Sequence, residues 1–122
     1  MCGIVGYIGN SKAIPIVYSG LESLEYRGYD SAGIAYILNN DIKVVKEKGK
    51  LINLKEKLDF DANTNVAIGH TRWATHGVAN KINAHPHYVG KFVVVHNGII
   101  ENYISLKNDL INNGYKFKSD TD

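Results

Sequence analysis

The sequence predicts a mixed α and β domain of the α+β class. Three observations carry that prediction: short apolar runs of strand length, two stretches with apolar residues at helical spacing, and Gly and Asn turn residues between them. With 122 residues, 44% of them hydrophobic, the chain has the length and composition of one globular unit with one core. No internal repeat, low-complexity tract or linker divides it.

Gly3-Ile4-Val5-Gly6-Tyr7-Ile8 predicts a buried strand closed by a Gly9-Asn10 turn. Ser11 is a candidate cap for the helix that follows, in which Ile14, Val17, Tyr18, Leu21 and Leu24 share one apolar face. Gly28 stops that helix and leaves residues 27–31 in a loop. Residues 33–38 and 42–47 read as a hairpin turning at Asn39-Asn40-Asp41. Leu51, Leu54 and Leu58 mark a short helix, and residues 66–70 and 92–96 are further strands. Tyr103, Leu106 and Leu110 mark a last helix that Gly114 ends. Residues 71–88 read as an irregular stretch that is too long for a mere connection and too rich in Arg72, Trp73 and His to be inert.

The charges exclude some functions. Fourteen basic and 12 acidic residues give a net charge of +2 without a basic block, so nucleic acid is not an expected partner. No apolar run reaches the roughly 18 to 20 residues that span a bilayer, and no basic segment followed by a long apolar one opens the chain. A cytoplasmic protein with no membrane partner is expected. Cys2 is the single cysteine, which excludes an intrachain disulfide and any cysteine-based cluster. Five histidines lie between positions 70 and 96, but none fits an H-E-x-x-H pattern. His85 and His87 alternate across an extended backbone and should point apart. Hydrogen-bonded loop histidines are therefore expected, with no metal and no cofactor.

Chemistry concentrates at three places. Removal of Met1 would give Cys2 a free α-amine beside its own thiol, so one residue holds nucleophile and base. The amine, with a pKa of about 7.7 to 8.0, can take the proton of a thiol of about 8.5 near neutral pH. Attack on an amide carbonyl creates an oxyanion that needs fixed hydrogen-bond donors, and Asn97-Gly98 at a strand end offers a side-chain amide and a main-chain N–H. Alone, that pair would be an ordinary Asn-Gly turn. In Gly69-His70-Thr71-Arg72-Trp73-Ala74-Thr75-His76-Gly77, Arg72 offers a planar fork for a carboxylate, Thr75 and His76 add neutral donors, and Trp73 can exclude water.

Taken together, five segments resemble the class II glutamine amidotransferases. They are Met1-Cys2-Gly3-Ile4-Val5-Gly6, Leu24-Glu25-Tyr26-Arg27-Gly28-Tyr29-Asp30-Ser31-Ala32-Gly33, the residue 69–77 segment, Asn83-Ala84-His85-Pro86-His87, and Val94-Val95-His96-Asn97-Gly98-Ile99-Ile100-Glu101-Asn102-Tyr103. The second and third segments are most similar to members that pass ammonia to fructose-6-phosphate and form glucosamine-6-phosphate. The resemblance implies an N-terminal nucleophile hydrolase-type αββα sandwich of which only the N-terminal part is present. Residues 1–122 would be the first part of a glutaminase domain, with its remainder and two sugar isomerase domains outside this chain. It implies Cys2 as nucleophile forming a thioester, and Asn97 and Gly98 as the oxyanion pair. Arg72, Thr75 and His76 would surround the glutamine α-carboxylate. Trp73 would gate the site, Arg27 would order the nucleophile's surroundings, and Asp122 would pair with the substrate amine. The implied partners are L-glutamine, fructose-6-phosphate and the rest of the same enzyme as a homo-oligomer. The alternatives are a glutaminase for another acceptor, such as a phosphoribosylamine-forming enzyme, or a silent glutamine-binding module.

These expectations make a testable statement about the segment alone. Purified residues 1–122 should release no ammonia from glutamine, and should do so only when mixed with or joined to the downstream polypeptide. Full activity of the isolated, monomeric segment would contradict it.

Overall fold

The computed structural model describes residues 2–74 and 77–122. In chain order the elements are β1 (Gly3–Ile8), α1 (Ala13–Ser23), a 3₁₀ turn (Glu25–Arg27), β2 (Ser31–Leu38), β3 (Asp41–Lys48), α2 (Leu51–Lys55), β4 (Val66–Arg72), β5 (His87–Val89), β6 (Phe92–Val94) and α3 (Tyr103–Asn112). Four strands form one antiparallel sheet in the order β1-β4-β2-β3, and β5 and β6 form a separate antiparallel pair. The mixed α and β class read from the sequence is thus the observed one.

The β2–β3 hairpin turns on two residues, since Leu38 pairs with Asp41 and both Asn39 and Asn40 take positive φ, 53° and 65°. Asparagine tolerates that region because its short side chain bonds locally. Ser11 does not cap α1. The N-cap is Lys12, without a side-chain bond, while the Ser11 N–H donates to the Tyr7 hydroxyl at 3.0 Å and the Ala13 N–H to the Thr64 carbonyl at 2.8 Å. Tertiary partners therefore replace the local cap. Arg27 closes a 3₁₀ turn rather than opening a loop, and Gly28, at φ 76°, ends it. The irregular stretch contains β5, too short to give a period-two signal, and β6 stops at Val94, leaving His96 beyond the strand.

Strand alternation gives the four-stranded sheet two different faces. One face lies under α1, whose Ile14, Val17 and Leu21 are fully buried together with Ile34, Leu51 and Leu54. Each such side chain contributes about 1.5 to 3 kcal/mol of burial free energy. Close approach depends on glycine: a Cβ on Gly69 would lie 2.6 Å from Val17 Cγ1, and one on Gly20 2.7 Å from Val5 Cγ1. Val5 and Ile34 find apolar partners in α1 because the helix returns across β1, β4 and β2.

The other face receives the segment around β5 and β6. Gly33 lies beneath His85 and Pro86, and Val93 shares an apolar pocket with Ala35, Ile37, Ile42 and Ile68. Coverage is incomplete on this side: Ile8 is 80% exposed and Val94 56%. Helix α3 buries no residue, and Lys107 ties it to the following segment by donating to the Ser119 carbonyl and lying over Phe117.

Gly33 is the narrowest junction between the sheet and this second layer. A Cβ there would come 2.2 Å from the His85 carbonyl oxygen and 3.0 Å from Pro86 Cδ, whereas one on Gly6 would meet nothing closer than 3.7 Å. Gly33→Ala should therefore destabilise the protein by about 1 to 3 kcal/mol, the usual range for overpacking, and Gly6→Ala should cost clearly less. Urea midpoints of the two variants check this, and equal midpoints would contradict it.

Candidate active site

The register of the central strand brings the chain's ends of chemistry together. Gly3 pairs with Thr71 and Ser31 pairs with Arg72, so Cys2, Trp73 and Asp30 emerge side by side at one end of the sheet. Cys2 is half-buried, and the Trp73 main-chain N–H donates to its Sγ at 3.3 Å, with the Trp73 carbonyl 3.7 Å from the same sulfur. The N–H can stabilise a thiolate and the carbonyl can accept from a thiol.

Asp30 holds that sulfur-binding strand end. Its carboxylate accepts the Ala74 N–H at 2.6 Å and the Ser31 hydroxyl at 3.2 Å, and its main-chain N–H donates to the Arg72 carbonyl at 2.7 Å. Trp73 is 53% exposed, with its ring edge beside Gly28. Asp30 was part of a recognised segment, but nothing in its spacing distinguished a latch from a turn residue.

These groups open onto a cavity of about 480 Å³, within the usual range for small-molecule sites. Cys2, Arg27, Arg72, Trp73, Asn97, Gly98 and Asp122, all singled out in the sequence, line it. Thr75 and His76 lie outside the described residues. Arg72 is buried, and two of its N–H groups donate to the Gly77 and Val78 carbonyls at 3.2 Å each. It therefore fixes the loop after β4 as well as facing the cavity. Asp122 accepts the Ile100 N–H, which ties the last residues to the loop after Gly98. Gly98 takes φ 130°, a conformation that favours glycine.

Some of the wall and its supports carried no individual signal in the sequence, although Ile99 and Asn83 lie within the motif segments. Thr121 and Ile99 line the cavity, and the fully buried Asn83 clamps its neighbours by donating to the Val78 carbonyl and accepting the Asp120 N–H at 2.8 Å. His85 and His87 do not point apart: with His70 they form a cluster in which His70 and His85 stack and His87 is tilted by 59° against His85. His70 and His85 rings lie 4.3 Å apart, nearly parallel, and His85 and His87 rings 4.5 Å apart. His85 precedes β5 instead of lying within it, so strand alternation does not apply. The three rings are hydrogen-bonded as expected, but only His85 is a loop residue, since His70 lies in β4 and His87 in β5: His70 Nε2 is with Asn97 Oδ1 at 2.8 Å, His85 Nδ1 with the His96 N–H at 3.4 Å, and His87 Nε2 with the Thr121 hydroxyl at 3.2 Å.

Burial is the main reason all three titrate low. His70 and His87 fall to about 4 and His85 to about 3, with Arg72 adding repulsion to each. Asn97 and the His96 main chain partly offset the shift at His70.

A family model described as a glutamine amidotransferase domain matches residues 56–122. Over its whole length the chain is 57% identical to a glutamine--fructose-6-phosphate aminotransferase [isomerizing] of Aquifex aeolicus and 56% identical to one of Pyrococcus horikoshii. It spans 21% of each, about a fifth of the curated relatives it matches. Among solved structures, a glutamine phosphoribosylpyrophosphate amidotransferase from B. subtilis superposes with a TM-score of 0.83 at 27% identity, over 100% of this chain and 27% of that one. A second, described as an allosteric regulatory enzyme of purine biosynthesis, gives a TM-score of 0.81 at 29% identity, over 98% and 27% of the two chains. The N-terminal nucleophile type of fold expected from the sequence is the one these neighbours share.

The histidine stack has a consequence for stability. The unfolded chain protonates these residues near 6.5 and the folded chain only near 4 or below, so the unfolded state binds more protons as pH falls through this window. Their contribution is complete above about 6.5 and is lost on acidification. Urea midpoints should fall from pH 7 to pH 5, by up to about 1.4 kcal/mol per pH unit for His70 and by less for His85 and His87, whose partial exposure screens the effect. A flat profile over that range would show that the rings are not held neutral.

Proposed function

Because the chain belongs to the glutamine amidotransferase family, we propose that it carries the thiol and the substrate pocket with which a larger enzyme hydrolyses L-glutamine to glutamate and ammonia. The observation that carries this reading is Cys2 Sγ held against the Trp73 N–H in the cavity that Asn97, Gly98, Arg72 and Asp122 also line.

Once Met1 is removed, the Cys2 amine takes the thiol proton, and the thiolate attacks the side-chain carbonyl carbon of glutamine. The oxygen that gains charge is received by the Asn97 amide and the Gly98 N–H. Collapse of the tetrahedral species breaks the C–N bond, with the proton held on the Cys2 amine passing to the departing nitrogen, and leaves a thioester. Water, deprotonated by the same amine, attacks the thioester and frees glutamate and the thiol. Arg72, with Thr75 and His76, binds the α-carboxylate, and Asp122 binds the α-amine. Trp73 shields the site, and Arg27 orders the nucleophile's side of the cavity.

For the acceptor, we favour fructose-6-phosphate, giving glucosamine-6-phosphate, in a cytoplasmic homo-oligomer. Identities of 50 to 57% to aminotransferases of that name, against 27 to 29% to the purine-pathway structures, support this choice. The sugar chemistry would reside in polypeptide beyond residues 1–122. A phosphoribosylamine-forming reaction is the competing reading, and product analysis of the complete enzyme with fructose-6-phosphate separates the two. A silent glutamine-binding module is disfavoured by the intact thiol and its N–H partner.

In the complete enzyme, Cys2→Ala should lower glutamine hydrolysis by more than tenfold, and a glutamine-like diazoketone should label Cys2. Arg72→Lys should raise KM, through lost bidentate geometry and a loosened loop at residues 77–78, while kcat changes little. Asn97→Ala should lower kcat by about 10² to 10³, the typical cost of one oxyanion donor. Purely KM effects from both Arg72→Lys and Asn97→Ala would show the roles to be misassigned.

A further inference from the structure

An asparagine amide can serve an oxyanion only when its NH2 faces the cleft, and rotation by half a turn would present its oxygen instead. The two orientations are nearly equal in shape. Some neighbour must therefore choose between them, and Asn97 is an exposed residue beyond the end of β6, where packing alone imposes little.

His70 is the neighbour in contact. It is fully buried on β4, and its Nε2 lies 2.8 Å from Asn97 Oδ1. Its other ring nitrogen, Nδ1, is buried and has no hydrogen-bond partner among the described residues. A buried N–H left unpaired is rarer and more costly than an unpaired acceptor lone pair. That argues against a proton on Nδ1, in the neutral Nδ1–H tautomer and in the imidazolium alike, although the His96 main chain also acts on the ring. The proton then sits on Nε2, which makes His70 a donor at Asn97 and makes Asn97 an acceptor through Oδ1. The Asn97 NH2 is left to face the cavity.

The ring is also held in place. His85 stacks on it at 4.3 Å with the planes 22° apart, and His85 Nδ1 in turn accepts the His96 N–H, one residue before Asn97. Thr71, next in β4, points to the opposite face, so the strand fixes the direction of the His70 side chain.

We propose that His70 is a positioning residue of this site, its Nε2–H donating to Asn97 Oδ1 so that the asparagine amide presents its N–H groups to the oxyanion. This rests on the reading of Cys2 and Asn97 given above. His70 touches no reacting atom; it acts through the orientation of Asn97. Burial and the stack on His85 keep the imidazole neutral at working pH, which preserves the single donor.

The test uses the complete enzyme, with glutamine hydrolysis and its loss in Cys2→Ala measured first, so that failure of the parent reading is recognised separately. Under the proposal, His70→Leu lowers kcat by about 10- to 100-fold with KM within about threefold, because only a transition-state contact is disturbed. His70→Gln, whose amide N–H can occupy the place of Nε2–H, recovers kcat to within about fivefold of wild type. Adding His70→Leu to Asn97→Ala lowers kcat no further than about twofold, since both changes remove one contact. Wild-type kcat in His70→Leu, losses that multiply in the double variant, or an effect on KM alone would overturn it. Neutron crystallography of the unaltered enzyme decides the matter even if the variants misfold. Deuterium on His70 Nε2 with the Asn97 ND2 group facing Cys2 is the expected result, and deuterium on Nδ1 would refute the assignment.

Discussion

β4 is hydrogen-bonded along both edges, to β1 on one side and β2 on the other, and the geometry of the cavity depends on that double pairing. A strand paired on one edge only can slip, and a slip of one residue would turn every side chain to the other face. Paired on both edges, β4 holds Gly3, Thr71 and Ala32 in one row, and the residues just past that row converge. Cys2 comes from the start of β1, Trp73 from the end of β4 and Asp30 from the entrance to β2. The 3.3 Å contact between the Trp73 N–H and the Cys2 sulfur is a consequence of register rather than of local sequence.

Glycine makes this register compatible with packing on both sides. Gly69 admits Val17 and Leu21 of α1 on one face, and Gly33 admits the His85 carbonyl on the other. The two are offset by one row, since Gly69 pairs with Ile34 and Gly33 with His70. Each opens its own face of the same strand pair. The helix layer and the histidine layer can therefore both approach closely, and His70 is buried between β4 and the returning segment.

Burial then sets the electrostatics. Three imidazoles at van der Waals distance, with Arg72 nearby, cannot charge together without large desolvation and repulsion, so they stay neutral and act as fixed donors or acceptors. Arg72, like Arg27, brings a guanidinium to the cavity, and it also anchors the Gly77 and Val78 carbonyls. His70 and Arg72 lie two residues apart on one face of β4, so the proposed orienting and carboxylate-binding roles would both issue from one strand.

By itself the sequence determined the elements whose signal is local. The apolar face of α1, the β2–β3 hairpin with its paired asparagines and the helix from Tyr103 all rest on periodicity and turn chemistry. Seven of the cavity-lining residues were also legible: Cys2, Arg72, Trp73, Asn97 and Gly98 from residue types that carry chemistry, and Arg27 and Asp122 only through the resemblance of their segments to a family. The cap of α1, the strand β5, the histidine stack, the Asp30 latch and the Asn83 clamp were not legible. Apart from β5, whose three residues are too few for a period-two signal, each is made by groups that meet only after the chain has returned on itself: Ala13 with Thr64, His70 with His85, Asp30 with Ala74 and Asn83 with Asp120. A sequence records which groups are available, but the partner of a buried polar group depends on which strand edges pair, and that is decided by the free energy of the assembled sheet.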